Sequence, residues 1–296
     1  MKNKIKLLFM LIVGVLTLTG CENSETTMIA YTSLYPVEYI MDTLYGDKIV
    51  VYSIYPDKQD NKNEEETNYK NYVLKEKQIE DFSKGDLYVY NGTILKEKDY
   101  AVKMINYNKN IKIIDASQGM SYTNDVSETW LDPSNTLMMA SNIKKGLTEY
   151  VEEKVDLKDI NNNYEELKFN LSEIDAELKQ IATNSNNPTI VVSNELFKYL
   201  EKYGFNVISL EENENLTDKE ISEVKALASN KTIKYIFLKD NENTNETIKK
   251  IVNDYKLTTV SLNTLSTIST NDRKDKKDYL SIMYDNINSI KLEVNN

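Results

Sequence analysis

Ile160-Asn-Asn-Asn-Tyr164-Glu-Glu-Leu167-Lys-Phe-Asn-Leu171-Ser-Glu-Ile174-Asp-Ala-Glu-Leu178-Lys-Gln-Ile181 has the clearest periodicity in the chain. Its apolar residues recur at steps of four and three, which draws one stripe along a helix. At about 1.5 Å per residue the stretch spans roughly 33 Å. Asp159 precedes it and the polar run Asn184-Ser-Asn-Asn-Pro188 follows, so a linking helix is predicted over 157–184. A coiled-coil seam with another chain needs at least three heptads, and this stretch barely supplies them. A rigid brace within the molecule is the preferred reading.

Short apolar runs alternate with helical patterns on both sides of the brace. Before it, strands are expected at Met28–Ser33, Ile49–Tyr55, Leu87–Tyr90 and Ile111–Asp115, with helices between them. After it, strands are expected at Thr189–Ser193, Asn206–Leu210, Ile233–Leu238 and Thr258–Leu262. The helices there read at Glu195–Tyr203, Asp218–Ser229, Asn245–Tyr255 and about 275–292. Apolar strands alternating with helices imply parallel sheets covered on both faces. The fold class is therefore α/β, with two similar lobes, 28–156 and 185–296, joined by the long helix.

Composition removes many chemistries. The 296 residues contain no histidine and one cysteine, Cys21, so histidine-based hydrolase sites, disulfides and the commonest zinc ligands are absent. Eight glycines form neither a phosphate loop nor a dinucleotide fingerprint. No carboxylate pair stands out, and the chain is expected not to be an enzyme. A formal charge of −11 repels phosphate backbones and argues against nucleic acid as a partner.

Lys2, Lys4 and Lys6 precede an apolar run, Leu7 to Leu18, that ends in Leu18-Thr19-Gly20-Cys21. A basic start and a short apolar core make a secretory signal over 1–20, too short for a permanent span. The cysteine context resembles the lipobox of bacterial lipoproteins, which implies cleavage before Cys21 and acylation there. Residues 21–27 then read as a tether, and the body is expected outside the cell, anchored to the membrane by lipid.

Ser127-Glu-Thr-Trp-Leu-Asp-Pro-Ser-Asn135 holds the only tryptophan. Asp132-Pro133 is a strong helix start, with a carboxylate for the free N–H groups and a ring suited to the first helical position. Glu128 and Trp130, two apart in an extended approach, point the same way. This is either a capped helix with a packed tryptophan or a carboxylate presented beside an aromatic plate.

The order of parts resembles the metal-specific substrate-binding proteins of ABC importers, the zinc and manganese lipoproteins of the cluster A-I type. Phe82-Ser-Lys-Gly-Asp86-Leu-Tyr-Val-Tyr-Asn-Gly92 is similar to the most specific family segment. Thr32-Ser-Leu-Tyr-Pro36, Ile114-Asp-Ala-Ser-Gln-Gly119, Trp130-Leu-Asp-Pro133 and Asp278-Tyr-Leu-Ser-Ile-Met283 follow in the family's order. The resemblance implies an extracytoplasmic monomer that binds a divalent metal, zinc or manganese, as cargo in a ligand cleft between the two lobes and passes it to a permease and ATPase.

The resemblance also marks where the ligands would stand. Lys70, Glu128, Asn194, Lys239 and Asn263 occupy the positions where the family carries histidines and carboxylates, and Asp240 adjoins the fourth. Three readings stay open. A hard cation could use Glu128 and Asp240. The ammonium of Lys70 or Lys239 could take the metal's place and pair with Glu128. The cleft could also have turned to an organic or anionic ligand. The alternative to transport is a surface adhesin or interaction module that keeps the fold without the metal site.

Overall fold

A computed structural model of the chain describes residues 27–56, 69–120, 128–240 and 242–294. The expected signal segment and Cys21 lie outside those residues. Two four-stranded parallel sheets form the framework. In the first lobe the order is β2 (Ile49–Ser53), β1 (Met28–Thr32), β3 (Leu87–Tyr90) and β4 (Lys112–Asp115). In the second it is β6 (Asn206–Ser209), β5 (Thr189–Val192), β7 (Tyr235–Lys239) and β8 (Thr258–Leu262). Both sheets reverse their strand order between the first strand and the third, which opens a crevice at the carboxyl ends. β3 and β5 are buried along their whole length, as strands covered on both faces require.

Helices α1 (Tyr35–Tyr45), α2 (Glu76–Phe82), α3 (Leu95–Tyr107) and α4 (Pro133–Tyr150) cover the first sheet. α4 approaches β4 closely at Gly146, where a Cβ would sit 2.6 Å from the Cγ1 of Ile114. The brace is α5 (Lys154–Asn184), longer than its apolar stripe, at 31 residues. Ile160, Leu167, Leu171, Ile174, Leu178 and Ile181 are its buried face. It packs on α1 and α4 of the first lobe and on the C-terminal helix of the second.

The second lobe adds α6 (Asp218–Ser229), α7 (Glu246–Tyr255), α8 (Thr270–Lys274) and α9 (Tyr279–Val294). Two expected helices differ in detail. Glu195–Tyr203 is a 3₁₀ helix with Phe197, Leu200 and Tyr203 buried, and steps of three match the 3₁₀ period. The final helix starts later than expected, at Tyr279: Lys276 is left-handed at φ 56°, and Asp278 opens the helix by accepting from the Ser281 amide at 2.8 Å.

One core runs from the first sheet through the brace to α9 and one face of the second sheet. A smaller cluster, including Val191, Val224, Ile236 and Ile248, lies under α6 and α7. No helix among the described residues is long and apolar enough to cross a membrane.

Leu171 is 1 % exposed in the middle of the brace, whereas Phe169, two residues away, is 62 % exposed. Leu171→Ala should therefore lose about 2–5 kcal/mol of stability to the cavity it leaves. Phe169→Ala should stay within about 0.5 kcal/mol of the parent. Urea unfolding of both variants checks that contrast.

Candidate functional site

The crevice brings Glu128 to the centre. The residue is 5 % exposed and sits just before the short 3₁₀ turn Thr129–Leu131 that leads into α4. A carboxylate buried this far needs charge or hydrogen bonds around it. Its Oε1 atom accepts from the Tyr69 hydroxyl at 2.9 Å and pairs with the Lys70 ammonium at 3.0 Å. The Lys239 ammonium stands 3.7 Å from the same oxygen. Tyr69 and Lys70 lie on a turn of Glu128's own lobe. Lys239 is the last residue of β7, so its pair with Glu128 is the one that crosses the crevice.

Trp130 anchors this arrangement. It is fully buried, and its indole Nε1 donates to the Thr264 carbonyl of the second lobe at 2.7 Å. Its own carbonyl accepts from Tyr279 Oη at 2.5 Å and from Thr136 Oγ1 at 2.7 Å. The Tyr69 ring meets the indole edge-on at 6.3 Å. Asp132 caps α4 through the Ser134 amide at 2.9 Å, as its sequence context predicts. The same carboxylate also takes Lys202 of the second lobe at 2.5 Å.

The other expected positions are engaged elsewhere. Asn194 caps the Leu196 amide with Oδ1 at 3.1 Å and donates from Nδ2 to Glu242 at 3.3 Å. Asp240 Oδ1 accepts from the Thr264 amide and hydroxyl at 2.9 and 2.8 Å. Asn263 accepts from the Leu265 amide at 2.7 Å and exchanges two bonds with Asn286. These bonds shape the loop that offers its Thr264 carbonyl to Trp130.

Two acids that sequence reasoning missed complete the picture. Glu242 also accepts from Ser193 Oγ at 3.4 Å; burial pushes its pKa up, and Lys239 opposes the rise. Its only sequence signal is an acidic residue just past the end of β7. Glu97 is fully buried, accepting from Tyr55 Oη and the Asn91 amide at 3.0 Å each. Burial pushes it up to about 8, against hydrogen bonds from Ser33, Tyr55 and Asn91 that pull it down. The Tyr55 ring lies edge-on to Tyr69 and Tyr72, so Glu97 supports the turn that carries Lys70.

As a donor set this does not fit a zinc ion. Zinc takes imidazole, thiolate or carboxylate at close range. Here one carboxylate stands with two ammonium groups that repel a dication, and the Oδ1 atoms of Asn194 and Asn263 already accept from backbone amides. No cluster of three or more acidic or cysteine side chains able to hold a metal occurs among the described residues.

Residues 31–292 match the family model described as ZnuA, zinc-uptake complex component A, periplasmic. Solved structures of similar fold include the Zn(II)-bound ZnuA-like domain of AdcA from Streptococcus pneumoniae, 18 % identical with a TM-score of 0.70. That match covers 91 % of this chain and 100 % of that one. The metal-dependent lipoprotein YcdH from Bacillus subtilis is 18 % identical with a TM-score of 0.72, over 90 % of this chain and 99 % of that one. The laminin-binding protein Lmb of Streptococcus agalactiae, described as bifunctional with adhesin and metal transporting activity, is 17 % identical with a TM-score of 0.69. It is matched over 90 % of this chain and 99 % of that one. At such identities these likenesses establish the fold. No curated protein matches the chain.

Glu97 gives a pH test. Its carboxyl moves from an ordinary 4.5 to about 8 on folding, so its proton is held more tightly in the folded state. The stability this contributes is full below about pH 4.5 and is lost as pH rises through about 8. Glu97→Gln keeps a neutral side chain at every pH. Relative to that variant, the parent should lose stability between about pH 5 and pH 9, as read from denaturant midpoints.

Proposed function

The chain belongs to the ZnuA family of zinc-uptake complex components, and from that membership we propose that it is an extracytoplasmic solute-binding component of a metal-type ABC importer. In this reading Cys21 is acylated and anchors a monomeric body to the membrane. The two lobes enclose the solute position, and a permease and ATPase are the partners. The chain acts by binding, not by catalysis.

The observation that carries the rest is the contact of the Lys70 and Lys239 ammonium groups with one buried oxygen of Glu128. Through these contacts the position of a dication is filled by charges that belong to the chain. The lobes then meet without cargo, and zinc or manganese has no adequate donor set. Glu128 and Asp240 do not make a metal site in this reading, because Asp240 is spent on Thr264.

A second reading has its own support. Lmb shares the fold and is described as an adhesin as well as a metal transporter. A lobe pair that closes on an internal ion pair offers a fixed outer surface, which suits a non-transport interaction module. The organic or anionic ligand option has less support, since the Oδ1 atoms of Asn194 and Asn263 already accept from backbone amides and Asn194 Nδ2 donates to Glu242.

Metal analysis by mass spectrometry, with a thermal-shift titration of zinc and manganese, tests the reading. The purified protein should carry far less than one zinc per chain, and neither ion should raise its melting temperature. Tight binding would raise it, by about 2.7 kcal/mol of stability at a hundredfold excess over Kd. One tightly held zinc per chain would return the protein to metal transport and remove the ion-pair reading.

A further inference from the structure

The turn that delivers Tyr69 and Lys70 to Glu128 has no regular secondary structure to hold it. What holds it is a side chain from another element. Lys96 is the second residue of α3 and half-buried. Its Nζ donates to the carbonyl oxygens of Lys70 at 3.2 Å and Tyr72 at 2.8 Å, and a third bond goes to the Tyr69 carbonyl. The same ammonium lies 5.5 Å from the centroid of the Tyr55 ring. An ammonium has three donors and no acceptor, so three converging carbonyls use its full capacity. Bonds to a charged donor are roughly twice as strong as neutral ones.

We propose that Lys96 is the positioning residue of this site: by gathering the carbonyls of Tyr69, Lys70 and Tyr72, its ammonium sets the turn so that Tyr69 Oη and Lys70 Nζ both reach Glu128 Oε1. Lys96 itself has no bond to Glu128. Its action passes through the backbone of the turn, which reverses at residues 69–71 and exposes its carbonyls toward α3 on one side. The side chains of Tyr69 and Lys70 are thereby left to face Trp130 and Glu128 on the other. Tyr55 ties the same turn from below, resting on Tyr69 and Tyr72 and hydrogen-bonded to Glu97, the next residue of α3. The start of α3 thus fixes the turn twice, once through carbonyls and once through rings. The inference rests on the reading that the Lys70–Glu128 pair fills the solute position.

Lysine acetylation by a soluble amine-reactive reagent, followed residue by residue with mass spectrometry, tests this in the purified protein. Lys96→Met and Lys96→Gln should raise the labelling rate of Lys70 about two- to fivefold, the protection a partly exposed ion pair supplies. Lys168 and Lys249, each in its own surface ion pair far along the chain, should label as in the parent and report that the fold is intact. Glu128→Gln should raise Lys70 labelling to a similar degree, and adding Lys96→Met to it should change nothing further. If Glu128→Gln releases Lys70 and neither Lys96 variant does, the positioning role is wrong while the ion pair stands. If Glu128→Gln leaves Lys70 labelling unchanged, the ion pair itself falls, and the role of Lys96 falls with it.

Discussion

A buried carboxylate needs a counter-charge, hydrogen bonds or a proton, and among the described residues three acids take a counter-charge across the same boundary. Glu38, Glu128 and Asp132 of the first lobe are each nearly inaccessible, and each pairs with a cation from the second: Arg273 at 2.7 Å, Lys239 at 3.7 Å and Lys202 at 2.5 Å. In all three the acid is the more buried member and the base the more exposed one. The long cationic side chains keep part of their hydration while the short acids give up theirs, which lowers the desolvation penalty of the pair. These three pairs share one polarity, acids on the first lobe and bases on the second, which favours one way for the lobes to meet. That uniformity adds specificity more than strength.

Most of the framework was legible in the sequence because it follows from local rules. Apolar runs of four or five residues between helical patterns are what doubly covered parallel strands look like, and all eight expected strands are found. The stripe from Ile160 to Ile181 announced the brace. The exceptions are also local, but they depend on finer signals. Phe197, Leu200 and Tyr203 are spaced by three and form a 3₁₀ turn, a pattern easily taken for one face of an α-helix. The start of the final helix at Tyr279 required weighing a capping aspartate above a longer helical pattern.

The site was only partly legible. Glu128 and Asn194 were framed by Trp130 and by the end of β5, and Lys70 and Lys239 could be placed through the family resemblance. Nothing local indicated which of these would converge, because convergence is a product of the lobes meeting. Asn194 and Asn263 stand at strand ends, where each Oδ1 accepts from a backbone amide two residues on, a common use of asparagine there. Tyr69, Glu97, Lys96 and Glu242 act through contacts over dozens of residues, and no periodicity records such contacts.

The ion pairs alone do not explain why the lobes stay together. A partly exposed pair is worth about 0–1 kcal/mol, and a buried one often breaks even against desolvation. The Trp130 indole bond to the Thr264 carbonyl, the Tyr279 hydroxyl bond to the Trp130 carbonyl and the Tyr35 amide bond to the Ser266 carbonyl involve no titrating charge. Tyr39 stacks on Tyr279 at 5.4 Å beside them, and the brace spans both lobes behind. Contact between the lobes is therefore over-determined by neutral bonds, aromatic packing and a helix that resists bending. In the proposed reading the Glu128 cluster has a narrower role, which is to set the charge at the centre of the crevice. In a relative with neutral or anionic ligands there, closure would leave a cavity with unbalanced negative charge, and a dication would satisfy it. Here the Lys70 and Lys239 ammonium groups stand beside Glu128 instead, and in the proposed reading that charge uncouples closure from cargo.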